Sequence, residues 1–190
     1  MQRSYMDRLI SAIGAALAVL LLVGGVLALV GHNFVTNQVT SQLKQEKIFF
    51  PAAGSAGLSA SEFPGLQQYG GQMVDTGPKA KAYADEFIWV HMMKASGDKS
   101  YAQISAAARA NPDDKKLAGL KTTLFQGDML RASLLSAYAF WQFGVIALWV
   151  SIVAFVGAVV LGFMALLGFR HARKVEAPTT SSRYVAPANA

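Results

Sequence analysis

The chain has 190 residues, of which 53% are hydrophobic and 15% are charged, whereas an average soluble domain has about 25% charged residues. It has no cysteine, which excludes disulfide bonds, thiolate nucleophiles and cysteine metal sites in this chain. The net charge is +6, but the basic residues outside the polar middle flank two apolar stretches, so the charge gives no reason to expect nucleic acid as a partner.

The two apolar stretches contain no Asp, Glu, Lys or Arg, one from Leu9 to Leu43 and the other from Ala132 to Phe169. Within them we predict transmembrane helices at 9–31 and 143–169, because either segment as a helix can cross a hydrocarbon core of about 30 Å. In lipid, a single segment satisfies its own backbone groups only as a helix. The lipid bilayer is therefore the first expected partner, and the predicted fold class is an all-α membrane protein with two transmembrane helices.

A cleaved signal peptide is the competing interpretation of the first span. Arg3 and Arg8 would form its basic start, and Val26-Leu27-Ala28 is a conceivable cleavage site. The apolar run is far longer than the usual signal core of about 7–15 residues, which favours a retained span.

Basic residues flank the spans on one side only; they are Arg3, Arg8, Arg170, Arg173 and Lys174. The opposite flanks, 31–43 and 132–142, contain no Lys or Arg. The positive-inside rule therefore predicts a plasma-membrane protein whose segments 1–8 and 170–190 are cytoplasmic and whose loop 32–142 is extracytoplasmic. Beyond Lys174 the tail has little apolar bulk, and we expect it to be disordered.

Apolar residues at helical spacing extend both spans into the loop as stalks. Val35, Val39 and Leu43 form one stripe after the first span. A second stripe, on a helix from about Asp128 to Phe169, consists of Leu130, Leu134, Ala137, Tyr138 and Trp141. We expect the two stripes to pack together, with Gly127 marking a break before the second stalk.

Between the stalks, 48–74 is rich in Gly, Ser, Ala and Pro and is predicted to be irregular. Thr76-Gly77-Pro78 then opens a helix that should end near Ala95. Ser100 and Gln103 match a capping box for a helix to about Ala110.

The residues after Ala110 should begin the next helix. Asn111-Pro112 is expected to cap it, with Asp113 and Asp114 in its first turn. The loop should thus form a small, mostly helical extracytoplasmic cap that leans on the stalks because its own core is small.

One cluster resembles a metal site. It consists of His91, Met92 and Met93, and such soft ligands suit Cu(I). The alternative is packing, because on a helix His91 lies over Phe87 and Ile88 and methionine commonly fills cores. We favour packing and predict no metal and no cofactor.

The sequence has none of the common hydrolase, zinc-protease or nucleotide-binding motifs. Neither predicted span contains an ionisable residue, the usual mark of an ion path. We therefore predict that the protein is not an enzyme, a channel or a transporter.

The second span carries a stripe of small residues spaced three or four apart: Gly144, Ala147, Ser151, Ala154, Ala158, Gly162 and Ala165. Such a stripe lets another helix approach closely in lipid. It can serve the contact between the two spans or a contact with other integral membrane subunits. Small residues are also spread around the first span, which favours an additional, external helix.

Several longer motifs carry a resemblance that covers nearly everything from Asp7 to Arg170. They include Ile48-Phe49-Phe50-Pro51, Thr76 to Ala84, Tyr101 to Ser105, Ala110 to Asp113, Leu124 to Gly127 and Leu135 to Tyr138. In these residues the chain resembles a family of two-span membrane proteins of unknown function that is widespread in actinobacteria.

Members of this family are often labelled aromatic ring-opening dioxygenases. Such an enzyme needs iron held by a cluster such as two histidines and a carboxylate, and the sequence signals no such cluster. In size and shape the chain is also similar to small accessory subunits of the actinobacterial cytochrome bcc–oxidase supercomplex. Two hypotheses follow: a non-catalytic accessory or assembly subunit of an envelope complex, or a membrane-anchored module that binds copper or another ligand outside the membrane.

Overall fold

The computed structural model describes residues 2–176, and the side chains of 5–174 within them. The predicted disordered tail lies, from 177 onward, outside the described residues. The described elements are all helical: α1 (Gln2–Glu46), a 3₁₀ helix (Pro64–Tyr69), α2 (Gly77–Ala82), a π-helix (Tyr83–Ile88), α3 (Trp89–Ser96), α4 (Tyr101–Ala110) and α5 (Lys115–Glu176). An isolated antiparallel bridge between Phe49 and Met73 closes the 48–74 segment.

Two of these helices, α1 and α5, are long and apolar enough to cross a membrane. Neither is interrupted where its apolar segment meets the polar loop, so the predicted helical extensions are confirmed. The predicted break at Gly127 is wrong, because α5 continues through it. Gly127 instead permits a close approach: a β-carbon there would lie 2.5 Å from Sδ of Met92.

The predicted cap of α5 at Asn111-Pro112 is also wrong, because the helix is capped by Asp114. Oδ1 of Asp114 accepts hydrogen bonds from the backbone N–H groups of Lys116 (2.9 Å) and Leu117 (3.0 Å), so Asp114 precedes the helix as its cap. The amide of Asn111 instead donates to the carbonyl oxygen of Ala107, at the end of α4. Asp113 therefore also lies before the first turn of α5.

The other loop helices begin close to their predicted positions. The capping box of α4 is confirmed, with Ser100 Oγ accepting from the N–H of Gln103 and the Gln103 side chain accepting from the N–H of Ser100. The helix predicted after Thr76 extends from Gly77 to Ser96 and ends at Gly97, which is left-handed (φ 62°). Its central π-turn was not predicted.

The 48–74 segment is mostly irregular, as expected, but contains the 3₁₀ helix, which Pro64 begins. Gln67 holds this segment together from inside the turn. Its amide donates to the carbonyl oxygens of Leu58 (3.1 Å) and Phe63 (2.9 Å) and accepts from the N–H of Gly54 (2.9 Å).

The chain divides into two compact units. The terminal unit consists of Met1–Leu29 and Trp149–Ala190, of which 2–29 and 149–176 are described, and the central unit is Val30–Leu148. The core of the central unit includes Val39 and Leu43 from α1, Leu124 and Leu134 from α5, and Phe50 from the irregular segment. Most of the two apolar stripes therefore contributes to one core with the loop, as predicted, through Val39, Leu43, Leu134, Ala137 and Trp141, whereas Leu130 is exposed.

Candidate functional site

In the terminal unit, the buried positions of α1 and α5 are occupied by small residues at intervals of seven. On α1 they are Ser11, Ala18 and Gly25, and on α5 they are Ser151, Ala158, Ala165 and Ala172, with Ala154 also buried between the first two. A seven-residue repeat keeps one seam of each helix facing the other, and small side chains let the backbones approach closely.

Local contacts show that the two helices meet along this seam. A β-carbon at Gly14 would lie 3.7 Å from Cβ of Ala165, and one at Gly25 would lie 3.0 Å from the ring of Phe155. Ser151, Ala154, Ala158 and Ala165 of the predicted stripe are buried in this contact between the two apolar helices. Gly162 is not, because a β-carbon there would meet nothing within 4 Å.

The two other stripe residues, Gly144 and Ala147, belong to the central unit. Nδ1 of His32 donates a hydrogen bond of 2.8 Å to the carbonyl oxygen of Gly144. A β-carbon at Gly144 would lie 2.9 Å from Cγ2 of Thr36, while Ala147 is half-buried. This part of the stripe therefore also packs α5 against α1.

The central unit contains a groove between α1 and α5, here named the stalk groove, with a volume of about 700 Å³. Its lining residues are Phe34, Val35, Gln38, Val39, Gln42, Leu43, Gln45 and Glu46 from α1, and Ser133, Ser136, Ala137 and Phe140 from α5. Two large side chains on it are exposed to solvent, Phe34 at 69% and Phe140 at 60%. The sequence stripes predicted the helix contact but not this groove beside it.

The π-helix forms a second notable feature, held by Arg131 of α5. The π-turn directs the N–H of Trp89 to the carbonyl oxygen of Ala84, which also accepts from Nε of Arg131 at 2.9 Å. The same guanidinium donates to Asp85 at 3.2 Å and lies 4.5 Å from the ring centroid of Trp89. One side chain thus binds the irregular turn in three ways.

Asp85 is the electrostatic centre of this cluster. The hydrogen bond from Lys81, with the charges of Lys81 and Arg131, lowers the pKa of Asp85, although burial opposes the shift. The pKa of Lys81 is raised by the same hydrogen bond. Burial raises the pKa of the neighbouring Tyr83. Ion pairing accounts for the shifts of Asp85 and Lys81, because each of these charges has a partner, and burial accounts for that of Tyr83.

His91, Met92 and Met93 do not converge on a common point. His91 is exposed; its ring stacks on that of Phe63, with 5.2 Å between the ring centroids, and its Nδ1 donates to the carbonyl oxygen of Phe87 (2.8 Å). Met92 is buried in the core against Gly127, and Met93 is half-buried. Among the described residues, no group of three or more His, Cys, Asp or Glu could hold a metal ion.

The predicted topology residues lie at the ends of α1 and α5. Arg170 and Lys174 line a groove of the terminal unit together with Asp7 and His171, whereas Arg173 does not line it. Arg8 is exposed, and the side chain of Arg3 lies outside the described residues.

Comparison with protein-family models, with curated proteins and with solved structures finds no match to this chain.

Proposed function

We propose that this protein is a non-catalytic accessory subunit of a larger membrane complex and that it binds its partner through the stalk groove. In this proposal α1 and α5 insert in the plasma membrane as a hairpin. The basic residues at 3, 8, 170, 173 and 174 keep both ends in the cytoplasm, and 32–142 forms a cap outside.

The stalk groove is the observation that carries the proposal. The groove extends along α1 from Phe34 to Glu46, about 18 Å of helix, and so continues well past the end of the predicted first span. Lipid chains can cover Phe34 and Phe140, each beside a predicted span, but they do not reach the far end of such a groove. Exposed aromatic side chains beside a groove lined by both apolar and polar residues are typical of a protein interaction site.

The chemistry of the groove suits a helix of another membrane subunit. Its floor is apolar, with Val35, Val39 and Leu43, and its rim offers the amides of Gln38 and Gln42 as donors and acceptors. Helix-in-groove binding uses an apolar face in this way, with polar side chains fixing the register. A partner helix would cover both rings and satisfy the amides.

The identity of the complex rests on the sequence resemblance alone. On that basis we propose a complex of the actinobacterial envelope, and in the first place the cytochrome bcc–oxidase respiratory supercomplex. Small subunits at the rim of such a complex need helix contacts and no chemistry of their own, which agrees with the lack of catalytic motifs.

The proposal is tested by filling the groove. Ser136→Trp places an indole in the groove, whereas Ala139→Trp adds the same ring at an exposed α5 position outside its lining. We expect Ser136→Trp to lose the partners that co-purify with the wild-type protein in mild detergent, and Ala139→Trp to keep them. If both variants retain the same partners, the stalk groove is not the binding site.

A further inference from the structure

A second groove lies in the terminal unit, between α1 and α5, with a volume of about 650 Å³. This volume falls within the range of about 300–1,000 Å³ that is typical of small-molecule sites. Most of the wall is apolar, with Ile10 from α1 and Leu161 and Met164 from α5. Ile10 and Met164 are both largely exposed, so the apolar wall is accessible from outside the protein.

One end of the same groove is charged. Arg170, His171 and Lys174 line it from α5, and Asp7 lines it from α1. Two fixed cations thus face a single carboxylate, which leaves a net positive charge at that end. Ser11 also lines the groove, but its hydroxyl already donates to the backbone carbonyl oxygen of Asp7 at 2.7 Å.

We propose that this groove binds one acidic phospholipid. Its phosphate lies between Arg170 and Lys174, and an acyl chain lies along Ile10, Leu161 and Met164. Charge complementarity selects the acidic headgroup, and the apolar wall continuous with the cations selects a lipid over free phosphate. Basic pockets between transmembrane helices recognise acidic headgroups in the same manner. The proposal depends on the membrane insertion proposed above but on no protein partner.

Positive residues beside a span can also act only as topology signals, and the chain provides a matched control for that alternative. Arg173 belongs to the same basic cluster as Arg170 and Lys174, yet it does not line the groove. If these residues act only as topology signals, substituting any of the three should have the same effect on lipid binding. If the groove is a binding site, only Arg170 and Lys174 should matter.

The experiment is native mass spectrometry of the purified full-length protein, equilibrated in micelles with equal amounts of phosphatidylglycerol and phosphatidylcholine. We expect one retained phosphatidylglycerol per chain, in preference to phosphatidylcholine. The double variant Arg170→Gln/Lys174→Gln should lower that preference about tenfold, since both cations near the headgroup are lost. Arg173→Gln should leave it unchanged.

Two results would overturn the proposal. One is equal retention of both lipids by the wild-type protein. The other is an equal loss of preference in Arg173→Gln and in the double variant, because any cation near the membrane would then serve. Circular dichroism confirms that each variant is folded, and the measurement stays informative even if no partner complex is ever found.

Discussion

Gly77, the first residue of α2, packs directly against the indole of Trp141 on α5. Gly77 is buried, and a β-carbon at this position would overlap Cβ and Cγ of Trp141. Since the Cβ of Trp141 is fixed to the α5 backbone, this clash cannot be relieved by a side-chain rotation. The pair sets how closely α2 approaches α5.

Gly77→Ala should therefore lower the free energy of unfolding of the central unit by about 2–3 kcal/mol, as expected for an overpacked site. Gly119→Ala on α5 is the matched control, because a β-carbon there meets nothing within 4 Å. It should stabilise by about 0.5–1 kcal/mol, since alanine favours a helix over glycine. Chemical unfolding in detergent, followed by tryptophan fluorescence, measures both; equal effects would contradict the described contact.

Arg131 should be the most important charged residue for the stability of the π-helix. Arg131→Met removes its bonds to Ala84 and Asp85 and its contact with Trp89, and should cost about 1–3 kcal/mol. Arg131→Lys should recover part of this loss, because an ammonium can pair with Asp85 but cannot replace the planar fork. The same unfolding assay measures both variants. An unchanged free energy of unfolding in Arg131→Met would show that the contacts of Arg131 do not stabilise the protein.

Asp85 predicts a specific dependence of stability on pH. Its pKa in the folded protein lies below the ordinary value of 3.8, so the stability it contributes is present above that value. The contribution is lost as the pH falls through the lowered pKa. The difference in unfolding midpoint between the wild-type protein and Asp85→Asn should therefore narrow as the pH falls from about 5 to about 3. A difference that stays constant over this range would contradict the assigned pairing.

Substitutions at neighbouring positions of α5 should have different effects on the contact between the two apolar helices. Because the chain lacks cysteine, Gly14→Cys with Ala165→Cys supplies its only thiols, and the 3.7 Å between their β-carbons suits a disulfide bond. Adding Ala158→Leu, at a position only 3% exposed, should slow disulfide formation in membranes about tenfold.

Two controls belong to the same experiment. Gly162→Leu and Val159→Leu should leave the rate unchanged, since a β-carbon at Gly162 would meet nothing within 4 Å and Val159 is 69% exposed. An equal rate in the Ala158→Leu protein would mean that the seam does not hold the two helices together.

The sequence predicted those parts of the fold that depend on residues close together along the chain. The Ser100 capping box and the apolar stripes on α1 and α5 are such cases. Gly127 was misinterpreted because glycine favours both a helix break and a close contact, and only the position of Met92 decides between them. Asn111 and Asp114 are both able to cap a helix. The sequence alone does not show that the Asn111 side chain bonds to the end of α4 and that Asp114 accepts from the first N–H groups of α5.

The functional surfaces were harder to predict than the helices. The small-residue stripe was found from its spacing, but its division between Ala158 in the seam and Gly162 outside it depends on where α1 lies. The stalk groove combines side chains more than ninety residues apart along the chain, such as Phe34 and Phe140, and no local pattern connects them.

Site-specific photo-crosslinking in native membranes tests the accessory-subunit proposal most directly. A photoreactive phenylalanine analogue replaces Phe140 in the stalk groove or, as a control, exposed Val153 on the apolar part of α5. We expect a discrete adduct with one membrane subunit from position 140, which disappears when Ser136→Trp fills the groove, and no discrete adduct from position 153. No discrete adduct from position 140, or one that Ser136→Trp leaves intact, would contradict the proposal.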